Sequence, residues 1–252
     1  MKPGKPADNA VGAPIPASRT ALWVILGLAA CVGFVLLGNW QVHRLHWKLE
    51  LIHDVDTRVH AAPVPAPGPA QWPRIAAGHE RYLHVRLTGT YLPVAQTLVH
   101  GTSARGYGFW VMTPLRTERG FIVWVNRGYI PASLPESPDF ARIRPPSGQV
   151  QLAGLLRLSE PGGGFLRPND PAHHRWYSRD VAAITRAQHL SAQDVAPYFV
   201  DAAARATGSW PLGGQTVIAF PNHHLGYAIT WYLLAAGSLV GVFLIVRHAR
   251  RS

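Results

Sequence analysis

Two long uncharged runs dominate what this chain can become. From Tyr227 to Val246 no residue carries a charge. At about 1.5 Å of rise per residue, such a run covers the roughly 30 Å hydrocarbon core of a bilayer. A second run, ALWVILGLAACVGFVLLG from Ala21 to Gly38, is long enough for another span. Arg247, His248, Arg250 and Arg251 follow the later run, and Lys2, Lys5 and Arg19 precede the earlier one. The positive-inside rule therefore predicts both flanks on the cytoplasmic face, with about Asn39 to Asn222 outside, which in a bacterium is the periplasm. Leu28–Cys31 has the form of a lipoprotein processing site, and a cleavable signal peptide is a further reading, although the apolar core is long for one. Residues Val32 to Leu37 stay apolar, however, and no small-x-small site follows before the polar helix, so an uncleaved span is expected.

The formal charge of +11 could suggest nucleic acid, but its distribution does not. Three of the 24 Lys and Arg residues precede the first run and three follow the last; the other 18 are scattered among 12 acids. No zinc-finger spacing or arginine-rich helix accompanies them, so a membrane surface or an acidic ligand fits better and no nucleic-acid partner is expected. The single cysteine, Cys31, rules out an intramolecular disulfide, and the chain lacks the paired thiolates or thioethers of copper delivery.

The predicted order is a disordered tail (1–20), a first span (21–38), an outward-facing domain (39–222), a second span (226–246) and a basic tail (247–252). The domain opens with a helical stalk over 39–58 and a proline-rich linker over 61–73. Short apolar runs then follow at 82–92, 96–101, 108–117, 121–130, 150–159, 198–203 and 215–220, with a hairpin turn at Glu118–Arg119–Gly120. One helix is expected in 178–190, with Ser178 as its N-cap. The expected fold is therefore two transmembrane α-helices flanking a mainly antiparallel β domain with one or two helices, an α+β architecture built as a barrel or sandwich.

No catalytic constellation appears. Gly162–Gly164 lacks the ending of a phosphate loop, no serine sits in a nucleophile elbow, and no enzyme activity is expected. His43, His46 and His53 on the stalk lack a complete ligand set, while His173 and His174, with Asp170 and Asp180 nearby in sequence, could form a metal site but read better as a solvated loop. His224, Tyr227 and Trp231 stand at i, i+3 and i+7 on one helical face at the mouth of the second span. A histidine there could hold a metal or a haem, or simply sit wetted among head groups. Trp40 and Arg44 lie where the first span leaves the bilayer, as a lipid-anchoring collar or, for Arg44, as a fork for the carboxylates of an acidic cofactor.

LGNWQVHRLHWKLELI (37–52), VNRGYIP (125–131), NDP with WYSRD (169–180), GGQT (213–216) and PNHHLGYAITWYLLA (221–235) stand in an order that spans nearly the whole chain. Together they resemble the Surfeit-locus family of cytochrome c oxidase assembly factors, in its bacterial form. The resemblance implies a cell inner-membrane protein that assists insertion of haem a into the catalytic subunit of a haem-copper oxidase. It implies partnership with that subunit and with the haem a synthesis enzyme, alongside membrane lipid. It also implies that the histidine of the N-x-H-L motif, here His224, is the iron ligand, with Tyr227, Trp231, Trp40 and Arg44 around a transiently bound haem a. His223 occupies the variable position of that motif. A membrane-anchored scaffold that never binds haem is the alternative.

Overall fold

The computed structural model describes residues 17–76, 81–204, 209–218 and 220–251. The expected tail over 1–20 lies outside these residues except for 17–20, which are helical. The chain divides into two compact units, one of 1–52 with 220–252 and one of 53–219.

The first unit is a helix pair. Helix α1 runs Ala17–His60 without a break, and α4 runs His224–Ala249; both are long and apolar enough to cross a membrane. They pack antiparallel, because Gln41 meets His224, Phe34 meets Trp231 and Gly27 faces Val242. The less exposed positions recur at alternating steps of three and four, through Val24, Gly27, Cys31, Phe34, Gly38 and Gln41 on α1. On α4 they run through His224, Ala228, Trp231, Ala235, Ser238 and Val242. That is the seam of a left-handed helix pair. Small residues line it because lipid-embedded helices gain mainly from close packing, while Leu22, Ile25, Leu233 and Val240 point outward. A Cβ on Gly38 would stand 2.7 Å from Cε1 of Tyr232, whose hydroxyl donates to Asn39 Oδ1 at 2.7 Å. Gly38→Ala is therefore expected to displace that ring and cost about 1–3 kcal/mol, the range of an overpacked contact. Thermal unfolding in detergent would show it.

The second unit is a β barrel with an α layer. Its elements are β1 (Val64–Pro65), α2 (Trp72–Ala76), β2 (His84–Tyr91), β3 (Thr97–Ser103), β4 (Gly106–Thr117), β5 (Ile122–Pro131), β6 (Gln149–Leu158), α3 (Val181–Ala187) and β7 (Val195–Ala202). The sheet order is β1-β2-β6-β7-β5-β4-β3, and β2 also pairs with β4, so five strands close on themselves. The pairs β5–β7 and β1–β2 are parallel and the rest antiparallel. Val85, Leu87, Val123, Val125, Tyr198 and Val200 fill one core. The alternate residues Trp124 and Phe199 turn to a second core with Trp176, Val181 and Ile184 under α3. Buried on both faces, β5 reads as the continuous apolar run IVWV. The β4–β5 hairpin turns at 118–120 as expected.

Three local expectations change. Asp180, not Ser178, caps α3, accepting from the Ala183 amide at 3.0 Å. Ser178 is buried and takes the Gly163 amide instead. The proline-rich stretch 61–73 is no free linker: it contributes β1 and the start of α2. Proline lacks a donor but keeps its carbonyl, and the Pro67 oxygen accepts from Tyr198 Oη at 2.6 Å and Trp72 Nε1 at 3.3 Å. Residues 215–218 form no strand; Thr216 is held instead by its hydroxyl, as described below. Ala219, in the expected run 215–220, lies outside the described residues.

Gly128 has φ +131°, and a Cβ there would stand 2.1 Å from the Leu212 carbonyl oxygen. That oxygen accepts the Tyr129 amide at 2.9 Å and cannot withdraw freely. Gly128→Ala is expected to destabilise the domain by about 3 kcal/mol, readable as a lowered unfolding temperature.

Candidate functional site

His224 opens α4. Its amide points to Asn222 Oδ1 at 3.4 Å, and its Nδ1 lies 2.7 Å from Gln41 Oε1 on α1. An amide oxygen only accepts, so Nδ1 donates in this contact, and in the neutral form of the ring the lone pair then lies on Nε2. Gln41 is only 8% exposed, a polar side chain set in an apolar seam with its oxygen on the imidazole. Such a partner is what fixes the tautomer and direction of a ligating histidine. The neighbouring His223 is exposed and its side chain makes no cap bond.

Trp231 lies one heptad along α4 and stacks on Phe34 with centroids 5.8 Å apart at 23°. Trp40 and Tyr227 are exposed, and the Arg44 guanidinium stands 4.3 Å above the Trp47 ring. The contacts of Gln41 and Trp231 fix the rotation of both helices. A wheel of about 100° per residue then sets Trp40, Arg44 and Tyr227 on one flank of the pair. Of the five residues the sequence singled out, His224 and Trp231 are thus seam residues and the other three line that flank. Gln41 and Phe34 were missed; their signal was the three-four alternation through Gly27, Cys31, Gly38 and Leu45.

A second polar centre lies in the barrel unit. Asp201, 5% exposed, accepts from Asn126 Nδ2 at 2.7 Å, Arg157 Nη1 at 2.8 Å, Thr216 Oγ1 at 2.8 Å and Arg179 Nη1 at 3.4 Å. Arg179 also forks onto Glu160 through Nε at 3.0 Å and Nη2 at 2.6 Å. Two guanidinium cations thus face two carboxylates beside a cavity of about 210 Å³ that Trp110 and Thr216 also line. Arg127 and Asp180 go to different partners: Arg127 donates to the Ile143 carbonyl at 2.6 Å, and Asp180 caps α3.

His173 Nδ1 lies 2.7 Å from Asp170 Oδ2, and that bond holds the Asp170 carboxyl below its ordinary range. Among the described residues no group of three or more His, Cys, Asp and Glu is placed to hold a metal ion. A haem iron can be held by a single protein ligand, as the proximal histidine of globins does.

A family model described as "SURF1 family" matches residues 28–236. The chain belongs to the SURF1 family. Surfeit locus protein 1 of Homo sapiens is 34% identical over 232 residues, 86% of this chain and 74% of the relative. A SURF1-like protein of Monosiga brevicollis is 34% identical over 233 residues, covering 86% and 85%. One from Caenorhabditis briggsae is 28% identical over 248 residues, covering 90% and 75%. Membership of the SURF1 family supports a general role in cytochrome c oxidase assembly, and SURF1-type factors are generally non-catalytic. The stretches that carried the resemblance, NDP apart, fall into the two centres described. LGNWQVHR and PNHHLGY supply Gln41 and His224. VNRGYIP, WYSRD and GGQT supply Asn126, Arg179 and Thr216 to the carboxylate of Asp201, which lies in none of them.

His100, on β3, stacks on Tyr177 at 4.8 Å and on Tyr107 at 5.8 Å. Partial burial, then Arg167 and Arg175, lower its pKa below the ordinary 6.5. The folded state therefore holds fewer protons here than the unfolded one, and this contribution to stability is lost as pH falls below about 6.5. Histidine NMR should place its midpoint below 6.5, and Arg167→Ala should raise it.

Proposed function

We propose that this chain carries haem a to the catalytic subunit of a haem-copper cytochrome c oxidase, taking it from the haem a synthesis enzyme. The observation that carries the reading is the His224–Gln41 pair: an imidazole held through Nδ1, which in its neutral form would present Nε2 to iron. The residues fit the cargo. One histidine gives single, exchangeable ligation suited to release, Arg44 can fork onto a propionate, and Trp40 and Tyr227 offer aromatic edges on the same flank. Trp231 braces the seam behind His224 through Phe34. No bond is made or broken in the haem itself, so no catalytic residue is required. We place the protein in a bacterial inner membrane, as its resemblance to the bacterial form of the family implies, and the barrel unit in the periplasm, because the arginines that end α4 favour the cytoplasmic face for that end.

The test is the absorption spectrum of detergent-purified protein co-expressed with haem a synthesis. Wild type should carry a haem a band that His224→Ala removes and His223→Ala leaves. Loss with His223→Ala alone would move the ligand by one residue. Colourless wild type from cells shown to contain haem a would sink the carrier and leave a scaffold that grips an assembly intermediate.

A further inference from the structure

The barrel unit carries a built apolar tip that neither centre uses. Gly164 and Arg167 exchange backbone bonds, Gly164 N to Arg167 O at 2.9 Å and Arg167 N to Gly164 O at 3.2 Å. They close a two-residue turn whose tip is Phe165, 93% exposed, and Leu166, 86% exposed. The base of the turn is tied down. Gly163 N donates to Ser178 Oγ at 3.1 Å, and Asn169 Oδ1 accepts the Tyr177 amide at 2.8 Å. Two large apolar side chains are thus held out in water by an ordered frame.

Their surroundings indicate what covers them. Arg167 lies over the Tyr177 ring at 5.7 Å, and Arg167 and Arg175 both act on His100. Tyr107, stacked on His100, is 53% exposed. The acid in the loop, Asp170, is engaged by His173. Apolar tip, aromatic rim and two guanidiniums are the composition of a segment that lies in a bilayer interface, with rings at head-group depth and cations on phosphates. Chain connectivity also keeps this unit close to a membrane, because α1 and α4, both long and apolar enough to cross one, join it at its two ends. We propose that the Phe165–Leu166 tip inserts into the head-group region of an anionic bilayer, with Arg167 and Arg175 on lipid phosphates. This does not rest on the haem reading.

The test uses the full chain in nanodiscs. In a Cys31→Ser background, Phe165→Cys is labelled with an NBD fluorophore, and Ser147→Cys serves as control. Ser147 precedes the opposite end of β6, roughly 30 Å away at about 3.3 Å per strand residue. In phosphatidylcholine–phosphatidylglycerol discs, lipids with a doxyl group near the head should quench the Phe165 probe at least twofold and spare the Ser147 probe. Arg167→Glu with Arg175→Glu should relieve that quenching in the mixed discs. No quenching at Phe165 would overturn the proposal and point to an acidic protein surface as the occupant. Equal quenching at both positions would overturn it as well, by showing that the dye itself seeks lipid.

Discussion

On the proposed carrier reading, Gln41→Leu is expected to lower haem a affinity about 10–100-fold while leaving the helix pair assembled, the usual cost of removing a hydrogen bond behind a ligand. Leucine nearly matches the volume and suits the seam, so packing alone predicts little change. What it removes is the acceptor for His224 Nδ1–H. Without it the ring can rotate and exchange tautomers, and Nε2 is no longer presented. Gln41→Glu separates this from a packing effect. A carboxylate accepts the same proton more strongly and makes the imidazole a stronger donor, so the iron–histidine stretch in resonance Raman should move to higher frequency. Binding to wild type with no change in either variant would mean that Gln41 does not position His224. Absence of haem from wild type would instead remove the carrier reading itself.

Asp201→Ala is expected to destabilise the barrel unit by about 3–5 kcal/mol, because breaking a buried ion network strands its remaining members. Here Arg157 loses its 2.8 Å carboxylate, Arg179 keeps only Glu160, and Asn126 and Thr216 lose their acceptor. The drop in melting temperature should be on the order of 10 °C for a chain of this size. The exposed Arg142–Asp139 pair is the comparison: at 84% and 56% side-chain exposure, Arg142→Ala should cost under about 1 kcal/mol. Equal melting of the two variants would show that Asp201 does not tie the barrel together.

Features set by local periodicity were legible in the sequence. The two spans, the strand rhythm and the turn at 118–120 each follow from apolar spacing or turn chemistry within a dozen residues. Asp201 did not, because its partners come from four separate stretches that only barrel closure assembles. Gln41 escaped for a related reason. In one helix it is a polar residue after a tryptophan; its burial exists only once α4 is laid against α1. The proline-rich stretch was read by what proline lacks, whereas its carbonyls do the holding. At α3, two capping residues stood two apart, and tertiary bonds to Gly163 and Asn169 claimed Ser178 and left Asp180 to cap.

Gln41 and His224 are separated by 183 positions, so the pair has an order of manufacture as well as a geometry. A nascent chain has inserted its first helix and emitted the whole barrel before its second half exists. No fragment bearing one helix contains both groups, and an abortive translation product cannot offer a held imidazole. The pair is completed only when α4 enters the membrane.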